Sequence, residues 1–298
     1  MTDNDFLDAL FSLGSDDTTA KKRTTYAKSP IPWVGGKKFS LDYIIPEVEK
    51  RLHDKWVEVF GGSGVVSWNV PDTEIMIYND RYSGVVDFYR TLQNPEMIDK
   101  LLDRLDNYTH PHSREEWIRA RAGWEDTEDP IARAAQWFYM IKNSVIGKGH
   151  SFGRSTHTRP PISIPSSLDI FKPIHYKLKK FTLENLDWRV CLDDFDAQYG
   201  VFYLDPPYVS TTAGVYVQGF SQSDLVQMLH KISTMKGTVL LSHYENETID
   251  ACDFWDEKIS WQVRMGADVL AYTESNHKEQ RNKGDIAARE CLWIKESV

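Results

Sequence analysis

The sequence predicts an α/β fold: an open, mostly parallel sheet with an inserted helical block. Three observations predict it. Short apolar runs of strand character, at 56–60, 74–78, 201–204 and 238–242, alternate with stretches of helical period. Three of these runs stop abruptly at Gly, Asn or Asp, as buried strands of a parallel sheet do. Between residues 96 and 180 the alternation breaks down, so that block reads as an insertion. At 298 residues the chain accommodates one large α/β domain with an insertion, or two domains.

In order, residues 1–29 read as a flexible tail rich in Asp and Thr, with a small basic cluster at Lys21-Lys22-Arg23. Pro32-Trp-Val-Gly-Gly-Lys-Lys38 comes next, then a helical pattern through Leu41, Ile44, Ile45 and Val48. Gly35 and Gly36 let the backbone approach a ligand. Lys37 sits where a helix begins, a place suited to an anionic group. A surface turn with a chance lysine fits the same residues. The first strand runs into Gly61-Gly62-Ser63-Gly64, and Val65, Val66 and Trp68 are expected to open a helix. Strand, glycine turn and helix make a nucleotide-binding context, although Ser67 stands where a third glycine belongs. The second strand ends at Asn79-Asp80. Asp80 lies sixteen residues after Gly64, near the spacing of roughly 20 at which an acid grips ribose hydroxyls.

Val85, Val86, Phe88, Tyr89 and Leu92 predict a helix ending near Asn94-Pro95. From residue 96 to 140 the pattern stays helical, with breaks at His110-Pro111-His112 and Asp129-Pro130. The two histidines have no Cys or further His at metal spacing, so they read as loop residues and no metal is expected. Lys142 to Pro165 reads as an irregular basic loop or hairpin carrying Phe152. A polar loop after Tyr208 precedes a helix through Leu225, Met228, Leu229 and Ile232. Residues 259–265 and 290–294 predict a closing strand pair, with a polar loop at 271–289 between them.

Net charge is −9, but its distribution matters more than its sum. Residues 142–180 carry eight basic side chains against one acid, Asp169. A basic island on an acidic body suits a phosphate backbone, and a solvated loop is the plainer alternative. Lys142, Lys148, Arg154 and Arg159 are its candidates for contact with a nucleic-acid backbone. No apolar run reaches the roughly 18 residues of a membrane span. The N-terminus has no basic flank and apolar segment of a signal peptide. Cys191, Cys252 and Cys291 are scattered and odd in number, which suits reduced thiols in a cytosol.

Val201-Phe-Tyr-Leu-Asp-Pro-Pro-Tyr208 organises the chain. Four strand residues deliver a carboxylate, two prolines and an aromatic ring to the carboxyl end of a strand, where ligands of open α/β sheets bind. The prolines contribute carbonyls but no N–H. Acceptors beside a flat ring suit an exocyclic amino group on a planar base. A solvated Asp at a Pro-Pro turn fits these four residues equally well.

Four stretches in order, Trp33-Val-Gly-Gly-Lys37, Phe60-Gly-Gly-Ser-Gly64, Asn79-Asp80 with the helix to Arg90, and Asp205-Pro-Pro-Tyr208, resemble the Dam-type, D12 family of DNA adenine-N6 methyltransferases, α group. The resemblance runs from about Pro32 to Ile294. Lys148-Gly-His-Ser-Phe-Gly153 resembles forms found in phage-like members. The resemblance implies a Rossmann-like, S-adenosylmethionine-dependent sheet built from 30–95 and 181–298, with a target-recognition domain at 96–180. It implies cofactor contacts at Trp33, Lys37, Asp80 and Asp205, with Gly62 and Gly64 in the turn and Phe60 either beside the cofactor or simply in the core. Asp205, Pro206 and Tyr208 take the catalytic positions. The implied partner is double-stranded DNA, with no membrane, and the chain is expected to be a cytosolic monomer.

The mechanism implied is direct. Asp205 and the Pro206 carbonyl accept hydrogen bonds from the adenine amino group, Tyr208 stacks on the base, and the methyl is transferred in line after the base flips out of the duplex. Alternatives are methylation of cytosine N4, RNA or protein glutamine, whose enzymes often place Asn or Ser where Asp205 stands. A non-catalytic DNA-binding protein on the same fold is another.

Overall fold

A computed structural model describes residues 25–108, 112–154, 169–209, 220–264 and 287–298. Seven strands form one sheet: β1 (Lys55–Glu58), β2 (Ile75–Asn79), β3 (Phe181–Glu184), β4 (Gly200–Leu204), β5 (Thr238–Tyr244), β6 (Glu257–Arg264) and β7 (Ala287–Lys295). Their order is β3-β2-β1-β4-β5-β7-β6. β1 pairs parallel with β4, β4 with β5, and β2 with β3, while β7 runs antiparallel to both β5 and β6. The chain leaves β1 towards β2 but leaves β4 towards β5, so the direction of winding reverses at the β1–β4 pair. In open α/β sheets that reversal opens the ligand crevice. The architecture is the predicted Rossmann-like α/β fold, closed by the predicted antiparallel pair.

The chain divides into two compact units, one of residues up to Leu41 with 61–72 and 76–185, the other of 42–60, 73–75 and 186–298. In the second unit β4 is buried along its whole length, as its unbroken apolar run requires. Trp56 of β1 stacks on Tyr203 of β4 at 6.2 Å, and both are fully buried. Helix α1 (Leu41–Arg51) is tied down by Arg51, which reaches Glu47 at 2.6 Å and Glu257 and Glu296 at 2.7 Å each. Helix α8 (Gln222–Thr234) starts from a capping box between Ser221 and Asp224 and buries Leu225, Met228, Leu229 and Ile232, one helical stripe. The short helix α9 (Glu247–Asp250) comes after β5.

In the first unit α2 (Ser83–Gln93) buries Val85, Val86, Phe88, Tyr89 and Leu92. Phe88 stacks on Phe138 of α5 (Pro130–Lys142) at 5.4 Å and meets Phe171 of α6 (Phe171–Leu178) edge-on. Gly84 permits that closeness: a Cβ there would lie 2.2 Å from the Trp137 indole nitrogen. α3 (Ile98–Asp106) and α4 (Arg114–Gly123) complete the described helices of this unit. Asp129 caps α5 and Pro130 takes its first position, where a missing N–H costs nothing.

Several expectations change. Residues 65–68 form turns, not a helix. Only six residues separate Gly64 from Pro71, and side chains take the carbonyls: Trp68 Nε1 donates to Ser63 O, and Asn69 Nδ2 to Val65 O. The break expected at Asp129-Pro130 in the helical run from 96 to 140 begins earlier, at Trp124. Helices α6 and α7 (Trp188–Phe195) were not anticipated. Of the expected tail, 1–24 lies outside the described residues, while Ala27 exchanges hydrogen bonds with the Asn69 side chain. The loops expected at 209–216 and 271–289 lie largely outside the described residues.

Candidate active site

The first unit holds five of the sequence-predicted residues, Trp33, Lys37, Gly62, Gly64 and Asp80, and the Asp80 carboxylate is bonded directly to the Gly62 amide. Asp80 comes directly after β2, and its Oδ2 accepts from the Gly62 amide at 2.7 Å while Oδ1 accepts from the Tyr82 amide at 2.8 Å. Burial pushes the Asp80 carboxyl above its ordinary 3.8, and the two amides pull it back only in part. The glycine turn closes on rings rather than standing open. A Cβ at Gly62 (φ +49°) would lie 2.4 Å from Trp33 Nε1, and one at Gly64 (φ +66°) 2.2 Å from the Trp68 ring. Tyr78 donates its hydroxyl to Gly62 O at 2.6 Å, and Tyr89 to Ser63 O at 2.7 Å. These aromatics hold the turn in shape, and the sequence reading missed them. Trp33 is half-buried, with its ring 6.3 Å from that of Tyr82. Lys37 opens a 3-10 turn and is buried, its Nζ donating to Gly35 O at 2.9 Å.

The same unit carries the basic candidates. Ser144 bridges to Phe152, and Val145 donates its amide to Ser151 O at 2.9 Å, so the segment closes as a hairpin. Lys148 and Arg154 are exposed. Lys142 is half-buried at the end of α5, and burial lowers its pKa. Arg159 and His110 lie outside the described residues. His112 is held: its Nδ1 donates to Asn143 Oδ1 at 2.8 Å, since the Asn143 amide group is itself the donor to Tyr139 O. The basic island is smaller than its composition indicates. Lys177 and Lys180 both pair with Asp72.

In the second unit, Asp205, Pro206 and Tyr208 leave the carboxyl end of β4, and Phe60 leaves the adjacent end of β1. Phe60 is half-buried and meets the buried Phe220 edge-on at 6.0 Å. Tyr208 is anchored at its rim. Its hydroxyl donates to Glu290 Oε1 at 2.8 Å and lies 3.2 Å from Ser242 Oγ. Burial, with Asp205 and Glu290 nearby, pushes the Tyr208 phenol well above its ordinary 10, so it stays a donor. The ring lies 4.4 Å from that of His243 and 4.6 Å from that of Tyr244. The Val209 amide donates to His243 Nε2 at 3.1 Å. Ser242, His243 and Glu290 were missed from the sequence. The available signal was polar side chains inside or beside the apolar runs of β5 and β7.

Among the described residues no three His, Cys, Asp or Glu side chains cluster as metal ligands, and no helix is long and apolar enough to cross a membrane. Cys191 and Cys291 are buried, and burial pushes the Cys291 thiol up to about 11, away from a nucleophile's range.

Residues 33–259 match the family described as D12 class N6 adenine-specific DNA methyltransferase. The chain is 25% identical over 289 residues to Type II methyltransferase M.FokI of Planomicrobium okeanokoites, covering 89% of this chain and 42% of that protein. It is 24% identical over 207 residues to Modification methylase StsI of Streptococcus sanguinis, covering 65% of this chain and 30% of that protein. The chain thus spans less than half the length of these relatives.

Proposed function

The chain belongs to the D12 class N6 adenine-specific DNA methyltransferase family, and from that membership we propose that it methylates adenine N6 in duplex DNA with S-adenosylmethionine as donor. The observation that carries the reading is the Asp205–Tyr208 turn. It places a part-buried carboxylate, its Oδ1 fully buried, at the end of a buried strand, where the sheet reverses direction.

The residues present fit that donor. A carboxylate has about four lone-pair sites, and Asp80 commits two of them to backbone amides. The remainder suit the two hydroxyls of a ribose. Trp33 offers a half-buried ring beside Gly62. Bound S-adenosylmethionine supplies an electrophilic methyl group on sulfur.

Asp205 and the Pro206 carbonyl accept the two amino hydrogens of the adenine. That localises the nitrogen lone pair, which is otherwise delocalised into the ring, and orients it for attack. The N–CH3 bond would form as the donor's S–CH3 bond breaks, the donor would leave as a neutral thioether, and the surplus amino proton would pass to water. Tyr208, anchored by its hydroxyl, stacks on the base. The amino group is unreachable inside a duplex, so the base is flipped out. Target recognition falls to residues 96–180, with Lys148, Arg154 and Arg159 on phosphates. Lys142 takes a lesser part because it is half-buried.

Incubation with duplex DNA and methyl-labelled cofactor, followed by nucleoside analysis, tests the proposal. N6-methyladenine is the expected product. Label in N4-methylcytosine, in RNA or in protein, or no transfer at all, overturns it.

A further inference from the structure

The turn that carries Asp205 is braced from outside itself. The β-ladder ends at Leu204, and Pro206 and Pro207 bring no N–H to bond with. Two contacts from neighbouring strands hold Tyr208 and Val209. The Tyr208 hydroxyl donates to Glu290 of β7, and the Val209 amide donates to His243 of β5. We propose that Glu290 and His243 are positioning residues for methyl transfer, fixing the Asp205 carboxylate through Tyr208 and Val209. The proposal rests on the function argued above.

The chemistry of the two contacts is definite. His243 Nε2 receives an amide hydrogen, so it carries a lone pair and the ring proton sits on Nδ1, which donates to Tyr244 O at 2.8 Å. The imidazole is therefore neutral, in one tautomer, and braced at both nitrogens. Glu290 is 5% exposed and Ser242 fully buried. Ser242 Oγ lies 3.4 Å from the same Glu290 oxygen that takes the tyrosine proton's hydrogen bond. Register places Glu290 opposite Tyr244 and diagonal to Ser242, so the oxygen cluster straddles the β5–β7 pair. A buried carboxylate is costly unless it is hydrogen-bonded. An apolar pair would fill the same space at lower cost, but without fixing where the Tyr208 hydroxyl points. The direction of that side chain sets the position of its backbone, which two rigid prolines join to Asp205. Displacement of a catalytic group by about 1 Å can cost ~10²-fold in rate.

The test compares single-turnover methyl transfer to duplex DNA at saturating cofactor, with cofactor and DNA affinities and thermal midpoints measured beside it. Glu290→Ala and Tyr208→Phe should each slow transfer by ~10-fold or more and leave both affinities within about threefold. The double variant should be no slower than the slower single, because both remove one contact. Glu290→Gln keeps an acceptor oxygen and should recover most of the rate. His243→Ala should slow transfer likewise, and His243→Gln, whose amide oxygen can take the Val209 hydrogen, should restore it. Wild-type rates in Tyr208→Phe overturn the proposal even if Glu290→Ala fails to fold. So do single effects that multiply in the double variant, or a Glu290→Gln protein as slow as Glu290→Ala. A wild-type protein that makes no N6-methyladenine fails at the earlier step, and refutes the assigned function rather than the relay alone.

Discussion

At the level of single residues, the two carboxylates do different work. Asp80 holds its own turn together, so replacing it does two things. Asp80→Ala strips the Gly62 and Tyr82 amides of their acceptor, costing about 1–3 kcal/mol for a group left unsatisfied. It also removes the proposed ribose contact. The expected result is a folded but less stable protein with weakened S-adenosylmethionine binding; calorimetry showing unchanged affinity would take Asp80 out of the cofactor site. Asp205 is expected to act on the rate instead. Its acceptor role grows as charge develops on the attacked nitrogen, so Asp205→Ala should lower single-turnover methylation by ~10²-fold or more. DNA affinity, set mainly by phosphate contacts, should persist. A near wild-type rate in that variant would exclude the role. Asp205 was legible in the sequence because two prolines mark the end of an apolar strand. Glu290 was not, because it meets Tyr208 only through the β5–β7 register, 82 residues away along the chain.

Among the elements, α2 and α8 were legible because their apolar stripes keep the helical period. α7 was legible in principle: Asp187 caps it and Trp188, Cys191 and Leu192 form its buried face. α6 was obscured by Pro173 in its first turn and by a basic composition that drew attention to DNA. Part of that basic charge is structural. Lys177 and Lys180 clamp Asp72, and Lys177 also donates to Val70 O. Burial alone would raise the Asp72 carboxyl, but the two lysines prevail and hold it below its ordinary 3.8. A depressed carboxylate stabilises the fold above its unfolded value and loses that contribution as pH falls through its folded value. The thermal midpoint should therefore drop as the solution is acidified below about pH 4, and Asp72→Asn should lessen this component of the acid sensitivity. An unchanged acid profile in the variant would show that the clamp contributes little.

For the molecule as a whole, an acidic chain is proposed to bind a polyanion, so binding should be local and sensitive to salt. Reversing Lys148 and Arg154, the exposed members of the hairpin segment, should weaken DNA binding and reduce the slope of log affinity against log salt by about two. A slope that does not change would place the DNA elsewhere. The same molecule carries a consequence for its own making. β7 comes after the other six strands in the chain yet lies inside the sheet, between β5 and β6. Glu290 leaves the ribosome 85 residues after Asp205, a delay of roughly 4–17 s at ordinary elongation rates. During that interval a nascent chain displays the Asp-Pro-Pro-Tyr turn before Glu290 exists to receive its tyrosine. The last of these strands to be made is then also the one that carries the brace, so on the proposed role of Glu290 a half-made chain would transfer methyl groups more slowly than the finished one.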